Sequence, residues 1–502
     1  GTVVSGKSTF LQTFVYAMIC KYTPDEINIY GIDYGSRMLA AFEQAPHVGG
    51  IIYENENDRL AKFVTMLSGM LEERKELFRG GNYSQYVQAN GRIVPAVIIV
   101  LDNFAGFRSK TDGLYDDFFI RLSKDGAGCG VYIVLTAAGF GTLEIPSRIG
   151  DNFRSVVSLE MGDKFQYTDV MRTMHPDVFP EENVKGRGLA RVGESILEFQ
   201  TALAIRAEDD FKRSEAIGKI AEDMEASWTG QRARRIPEIP RDFIWTEFAQ
   251  TKEVLKMLQD DTHLPIGYDA QSVTVYGVDL SRTYCYLIGG KVRSGKTNML
   301  KVLINSAALK GGRIVVIDFE GELASLSNRL NVTYLTDDES LYMYLKEELI
   351  PVYQERNIKR HAHEQLDKGH IKQELTQEEK LFIFISDLPE FIRRIYSPAD
   401  GVGRMEAVIE NFWDKGRCHG IFWFACLNPE DANAAAGRRA YKLFTDDKRG
   451  AYFGGNVTAQ KLFNFDDMPY MEQLRPEKPG VAILPMTEEE TVRKVAVPLC
   501  RE

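Results

Sequence analysis

The sequence predicts an α/β fold repeated twice in tandem, each copy a mostly parallel sheet covered by helices on both faces, with an antiparallel edge. Three observations carry that expectation. Two octapeptides share one glycine-rich pattern, apolar runs ending in aspartate follow each of them, and matching landmarks keep nearly the same separation from the first half to the second.

The octapeptides are Gly1-Thr2-Val3-Val4-Ser5-Gly6-Lys7-Ser8 and Gly290-Lys291-Val292-Arg293-Ser294-Gly295-Lys296-Thr297. Both spell G-x-x-x-x-G-K-[ST], the phosphate-cradling P-loop. Its glycines let backbone N–H groups converge on phosphate oxygens, and the next helix adds its positive N-terminal end. Lys7 and Lys296 are expected to reach the phosphates, and Ser8 and Thr297 to hold Mg²⁺. A lone octapeptide could be an accidental turn; two in the same context are a duplicated domain.

The apolar runs come next. Ile27 to Asp33 answers to Arg313 to Asp318, and Ala96 to Asp102 answers to Leu381 to Asp387. Continuous apolar strands are buried on both faces, as in a helix-covered parallel sheet. Carboxyl ends of such strands are where open α/β sheets place ligands. Asp102 and Asp387 are therefore expected to complete Mg²⁺ coordination, the alternative being a loop-capping aspartate. Catalysis would rest on Lys7, Asp102, Lys296 and Asp387, with ATP and Mg²⁺ as cofactors.

Composition sets limits. The 502 residues are 44% apolar, enough for two or three cores, and the net charge is −11. Proteins that grip duplex DNA usually show a basic balance or stripe, and this chain does not. The six cysteines form no C-x-x-C pair, so neither a disulfide framework nor a zinc site is expected. No apolar run approaches the roughly 18 residues of a membrane span. Gly1 already belongs to the first P-loop, so the strand leading into it is expected to precede this sequence, as in a piece of a longer chain.

Along the chain, a first domain is expected over 1–205. A helical and Pro/Arg-rich linker follows at 206–241, and a second domain at 242–502. Residues 188–192 and 196–200 read as edge strands of a small sheet. Asp209 to Trp228 reads as an amphipathic helix carrying Phe211, Ala216, Ile220 and Met224. Pro237 and Pro240 mark the connector.

With the rest of the sequence, these features resemble the FtsK/SpoIIIE branch of P-loop motors, and within it the tandem ATPase domains of the type VII secretion coupling protein (EssC/EccC family). Met70 to Phe78 is similar to the family's EMxxR helix, with Arg74 as its arginine, and Leu349 to Arg356 echoes it. Ile145-Pro146-Ser147-Arg148-Ile149 is similar to the IPTRI turn. Trp228 to Pro240 and Leu264-Pro265-Ile266-Gly267 are similar to the joint between consecutive secretion ATPases. The resemblance implies two RecA-like P-loop NTPase domains that bind Mg-ATP and assemble with themselves into a ring, hexameric in form, and with other subunits of the secretion machine. It implies recognition of small helical export proteins of the WXG100 type, no DNA partner, and a place in the bacterial cytoplasm at the inner membrane face. The alternative is a DNA translocase of the SpoIIIE type.

Departures from the family bear on turnover. A Glu usually follows the strand-end Asp and polarises the attacking water; here Asn103 and Leu388 follow. A missing general base is worth ~10²–10⁴ in rate. Ala137 and Leu427 stand where the family's ATQRP segment has its sensor Gln. Binding is therefore expected with weak hydrolysis, weaker in the second domain, so whether the chain is an effective enzyme stays open. Glu390 could substitute as base but reads better as a helix-start acid. Arg148, Arg154, Arg438, Arg439 and Arg449 fall where ring ATPases supply an arginine to a neighbour, although each alone reads as a surface residue. His361, His363 and His370 read as part of a polar helix rather than a metal site, and Cys418 as a packed thiol beside His419. The four Trp are expected in cores or at the domain joint.

Overall fold

The computed structural model describes residues 1–139, 141, 144–173, 176–328, 331–364, 378–416, 419–454, 456–487 and 490–501. His370 and Cys418 lie outside the described residues. Contacts divide the chain into two compact units, Gly1–Glu238 and Ile239–Glu502.

In the first unit, β1 (Ile27–Asp33), β2 (Val48–Tyr53), β3 (Ala96–Asp102) and β4 (Val131–Leu135) form a parallel sheet in the order β2-β1-β3-β4. The continuous apolar runs are buried, apart from the half-buried Ala96, because helices cover both faces. Leu11, Val15 and Ile19 of the helix Lys7–Lys21 pack with Ile29, Ile98 and Val100 on one side. Leu60 and Phe63 of Asn57–Phe78 pack with Tyr30, Ile99 and Leu101 on the other. A second, antiparallel sheet joins β5 (Val157–Leu159), β6 (Arg187–Val192) and β7 (Ser195–Gln200).

Among the described residues, the second unit has one ten-stranded sheet. Its strands are β8 (His263–Asp269), β9 (Val275–Asp279), β10 (Cys285–Gly290), β11 (Arg313–Ile317), β12 (Val332–Leu335), β13 (Leu381–Ile385), β14 (Ile421–Leu427), β15 (Gly450–Phe453), β16 (Val481–Leu484) and β17 (Arg493–Ala496). Their order is β12-β11-β13-β14-β10-β15-β16-β17-β8-β9. The pairings from β12 to β15 are parallel and the rest antiparallel.

Three local expectations change. The segment read as a linker packs on the first unit: helix Asp210–Ser227 buries Ile217 and Ala221 beside Leu11 and Val15. Ile236 is buried too, and its N–H donates to the Gly49 carbonyl at 3.1 Å. The buried stripe of that helix is Arg213, Ile217 and Ala221, while Phe211 is 73% exposed. Apolar residues fall on both sides of the helix, so their spacing alone does not fix its phase. The phrase Leu264 to Gly267, read as a joint, is strand β8.

Arg74 and Arg356 show what the helix motif is for. Both are buried. Arg74 donates to the carbonyls of Pro95 (2.7 Å), Cys129 (2.8 Å) and Gly130 (3.3 Å). Arg356 donates to those of Glu379 and His419, both at 2.6 Å. Each guanidinium thus ties together the chain entering two neighbouring strands, a geometry its planar fork suits.

Candidate functional site

Both P-loops wrap the start of a long helix, Lys7–Lys21 and Lys296–Leu309. Each turns through positive φ at Val4 and Gly6 (68° and 99°) or Arg293 and Gly295 (61° and 121°). A Cβ on Gly6 or Gly295 would also press on the backbone of Gly186 or Gly480, 3.2 and 3.3 Å away. Those two glycines are counterparts: Gly186 N–H donates to Ser5 O at 2.9 Å, and Gly480 N–H to Ser294 O at 3.2 Å. Thr2 N–H donates to the Glu160 carbonyl at 2.7 Å. Val3, Val4 and Val292 are exposed on the loop rims.

The lysines sit alike. Lys7 Nζ donates to the carbonyls of Gly1 (2.8 Å) and Thr2 (2.6 Å), and Lys296 Nζ to those of Gly290 (2.6 Å) and Lys291 (2.8 Å). Burial lowers both pKa values, opposed at Lys7 by Asp102 and at Lys296 by several groups including Glu322 and Asp387. Ser5 and Ser294 hydroxyls donate to the carbonyls of Thr2 (2.8 Å) and Lys291 (2.7 Å), bracing each loop from within.

The carboxylates do not sit alike. In the first unit, Ser8 Oγ donates to Asp102 Oδ2 at 2.7 Å, and Thr136 Oγ1 to Asp102 Oδ1 at 2.6 Å. Asn103 follows at φ 65° as the N-cap of helix Phe104–Lys110. Its amide is committed: Nδ2 donates to Tyr34 O at 3.0 Å and Oδ1 accepts from Gly106 N–H at 3.2 Å. In the second unit, Asp387 is itself the N-cap of helix Leu388–Tyr396, with Oδ1 accepting from Glu390 N–H at 2.8 Å. Burial raises its carboxyl pKa.

Sheet register shows why. Leu101 lies opposite Ile32 and Leu135; Ile385 lies opposite Ile317 and Ala425. Because Asp33 and Asp318 follow Ile32 and Ile317, the counterpart of Asp102 is Ser386 and that of Asn103 is Asp387. The two buried arginines agree independently, since Pro95 and Glu379 then match, as do Cys129 and His419. Pairing Asp102 with Asp387 from the sequence is therefore one residue out of step. Leu388, read as standing at the base position, is a buried core residue like Phe104.

Asp33 and Asp318 are loop organisers. Asp33 accepts from the N–H groups of Gly35, Arg37 and Leu39. Asp318 accepts from those of Gly321, Glu322 and Leu323. One residue on Asp318's loop escaped the sequence reading: Thr297 Oγ1 donates to Glu322 Oε2 at 3.1 Å.

The remaining candidates separate cleanly. Glu390 is held by Arg393 and Arg394, with nitrogen–oxygen distances of 2.6 to 2.7 Å, and the Arg393 hydrogen bond, assisted by Arg394, keeps its pKa below the ordinary range. It is a helix-start acid in an ion-pair network. Arg438 stacks over Tyr396, and Arg439 pairs with Asp414, while Arg148 and Arg154 are exposed and Arg449 half-buried. Trp413 and Trp423 meet edge-to-face in the second core. Among the described residues, no group of three or more His, Cys, Asp and Glu could hold a metal ion by itself. No helix of the described residues is long and apolar enough to cross a membrane.

A cavity of about 340 Å³ opens beside Lys7, between Ile133 to Ala137 and Val156 to Leu159. In the second unit the same interval, between β14 and β15, is filled by β10.

Comparison with known proteins agrees with this geometry. Residues 1–176 match the family model described as FtsK/SpoIIIE family. The type VII secretion system protein EssC of Staphylococcus aureus (strain MRSA252) is 23% identical over 333 residues, 66% of this chain and 22% of that protein. The chain therefore spans little more than a fifth of that relative's length. EssC (ATPases 2 and 3) from Geobacillus thermodenitrificans shares the fold with a TM-score of 0.78 at 20% identity, covering 100% of this chain and 90% of that one. Thermomonospora curvata EccC (ATPases 2 and 3), solved in complex with a signal sequence peptide, gives 0.64 at 20% identity, covering 100% and 87%.

Proposed function

We propose, from an FtsK/SpoIIIE-type domain over residues 1–176 and a tandem fold shared with EssC and EccC ATPases over the whole chain, that this chain is a nucleotide-binding coupling segment of a bacterial type VII secretion ATPase. The observation that carries the reading is the pair of P-loops, each with its lysine folded into the loop and its hydroxyl bonded to a carboxylate. That donor set is hard oxygen, which suits Mg²⁺ accompanying a nucleoside triphosphate. The P-loops Gly1 to Ser8 and Gly290 to Thr297 bind the phosphates; at the first site Ser8 and Asp102 hold the metal.

Turnover is weak at both sites, for different reasons. The first keeps the strand-end acid but places Asn103 at the base position, and Asn cannot take a proton from water. The second has a carboxylate there, Asp387, but Ser386 where the metal acid belongs. The sequence expectation of a poorer second site rested on Leu388, which does not occupy that position. Nucleotide occupancy then controls conformation and assembly into a ring, hexameric in form, while turnover comes from another domain. In the wider protein the segment works with other secretion subunits at the inner face of the membrane, facing the bacterial cytoplasm. It recognises signal peptides of small helical WXG100-type proteins by helix-in-groove capture.

Steady-state assays of the isolated chain test this. ATP turnover is expected well below the roughly tens per second of an ordinary active enzyme. Duplex DNA binding, measured at low and moderate salt, is expected to lack the steep salt dependence of phosphate-gripping proteins. Turnover at tens per second that depends on Lys7 or Lys296 would contradict the coupling role, and tight salt-sensitive DNA binding would favour a translocase.

A further inference from the structure

We infer that the second site takes its metal-binding carboxylate from Glu322, on the loop after β11, and not from the end of β13. The inference rests on the reading that both P-loops bind Mg-nucleotide, and it names a ligand for the divalent cation at the second one.

Three observations converge. The strand-end position that holds Asp102 in the first unit is Ser386 in the second, by the pairings of β11, β13 and β14. A neutral serine hydroxyl cannot offset a divalent charge as a carboxylate does. Next, the P-loop hydroxyl has already chosen its partner. Ser8 bonds Asp102, whereas Thr297 bonds Glu322. Asp387 has one oxygen fixed by the Glu390 N–H at the head of its own helix, the place that Asn103 fills in the first unit.

The third observation is a charge exchange at a matched backbone position. Arg37 N–H donates to Asp33 Oδ1 at 3.1 Å, and Glu322 N–H to Asp318 Oδ1 at 3.2 Å. Each donor lies four residues beyond its aspartate. Where β3 supplies an acid, this loop position is Arg37, its guanidinium 5.1 Å from the centre of the Tyr53 ring. Where the strand end is a serine, the same position is a glutamate. The carboxylate has moved from strand to loop, so each P-loop hydroxyl keeps one acidic partner. The buried Asp318 fixes the backbone of Glu322, so the exposed side chain starts from a defined anchor.

The test uses ATPγS titrated calorimetrically into the full chain carrying Lys7→Ala, so that only the second site is read, once with excess EDTA and once with Mg²⁺. Mg²⁺ is expected to tighten binding, and Glu322→Gln to lose about tenfold or more of that gain through weaker binding in Mg²⁺, with no loss of affinity in EDTA, given that even outer-shell partners of a metal site are worth 10–100-fold. Asp387→Asn is expected to keep the gain. Full Mg²⁺ tightening in Glu322→Gln, or its loss in Asp387→Asn, overturns the inference. No binding in either buffer, or binding that Lys296→Ala leaves unchanged, overturns the nucleotide reading and the inference with it. The two failures are thus distinguishable.

Discussion

Alanine at Lys7 weakens nucleotide binding at the first site, and alanine at Lys296 weakens it at the second, by on the order of 10²–10³-fold each, as expected for truncating one member of a hydrogen-bonded charge pair at a half-buried position. Each ammonium bonds two carbonyls of its own P-loop. The substitution therefore removes both the charge that meets the phosphates and a brace on the loop that offers its N–H groups. Partial burial adds to the cost, because a phosphate drawn against a half-buried loop has less water to fall back on. The effect should stay local, each variant leaving the other site at its original affinity. Titration of either single variant with ATPγS checks this, and an unchanged affinity at the altered site would contradict it.

Methionine at Arg356 destabilises the second unit by about 2–5 kcal/mol, the range for stranding two buried carbonyls at roughly 1–3 kcal/mol each. It strands the carbonyls of Glu379 and His419, which the guanidinium bridges at the mouths of β13 and β14. Methionine at Arg74 does the same to the first unit through Pro95, Cys129 and Gly130. Lysine rescues neither, since one ammonium lacks the fork that reaches two separated acceptors. Denaturant unfolding followed by the fluorescence of Trp413 and Trp423, both buried in the second core, reads the Arg356 variant. A midpoint unmoved by that change would show that the clamp contributes little.

Much of the fold was legible because its signals are local. A P-loop announces itself in eight residues, and strands buried on both faces read as unbroken apolar runs. The antiparallel part of the second sheet was harder to see. Its neighbours β17 and β8 come from opposite ends of the domain, and no local pattern ties Val495 to Asp269. The site was legible up to one residue. Aligning the halves on their strand-end aspartates made Asp387 the twin of Asp102, because a sequence shows where an apolar run stops but not which residue faces its neighbour across the sheet. Pairing register and the two arginine clamps place Ser386 there instead. Glu322 was invisible for a related reason: its position depends on backbone bonds to Asp318, which composition and spacing do not encode.

The same shift of one residue changes the chemistry assigned to each half. On the proposed reading, the first site keeps Asp102 as metal acid without a base, and the second has Asp387 at the base position with Glu322 taking over as metal acid. Neither arrangement abolishes the cradle, and both units keep the loop, the lysine and the hydroxyl. The account therefore stands or falls on binding, with turnover secondary.

The most direct measurement is the number of ATPγS molecules bound per chain with Mg²⁺, by equilibrium dialysis at one fixed concentration that just saturates the unaltered protein, for that protein, each single lysine-to-alanine variant and the double variant. The account predicts two, one, one and none. A double variant that still binds nucleotide as the unaltered chain does would contradict it.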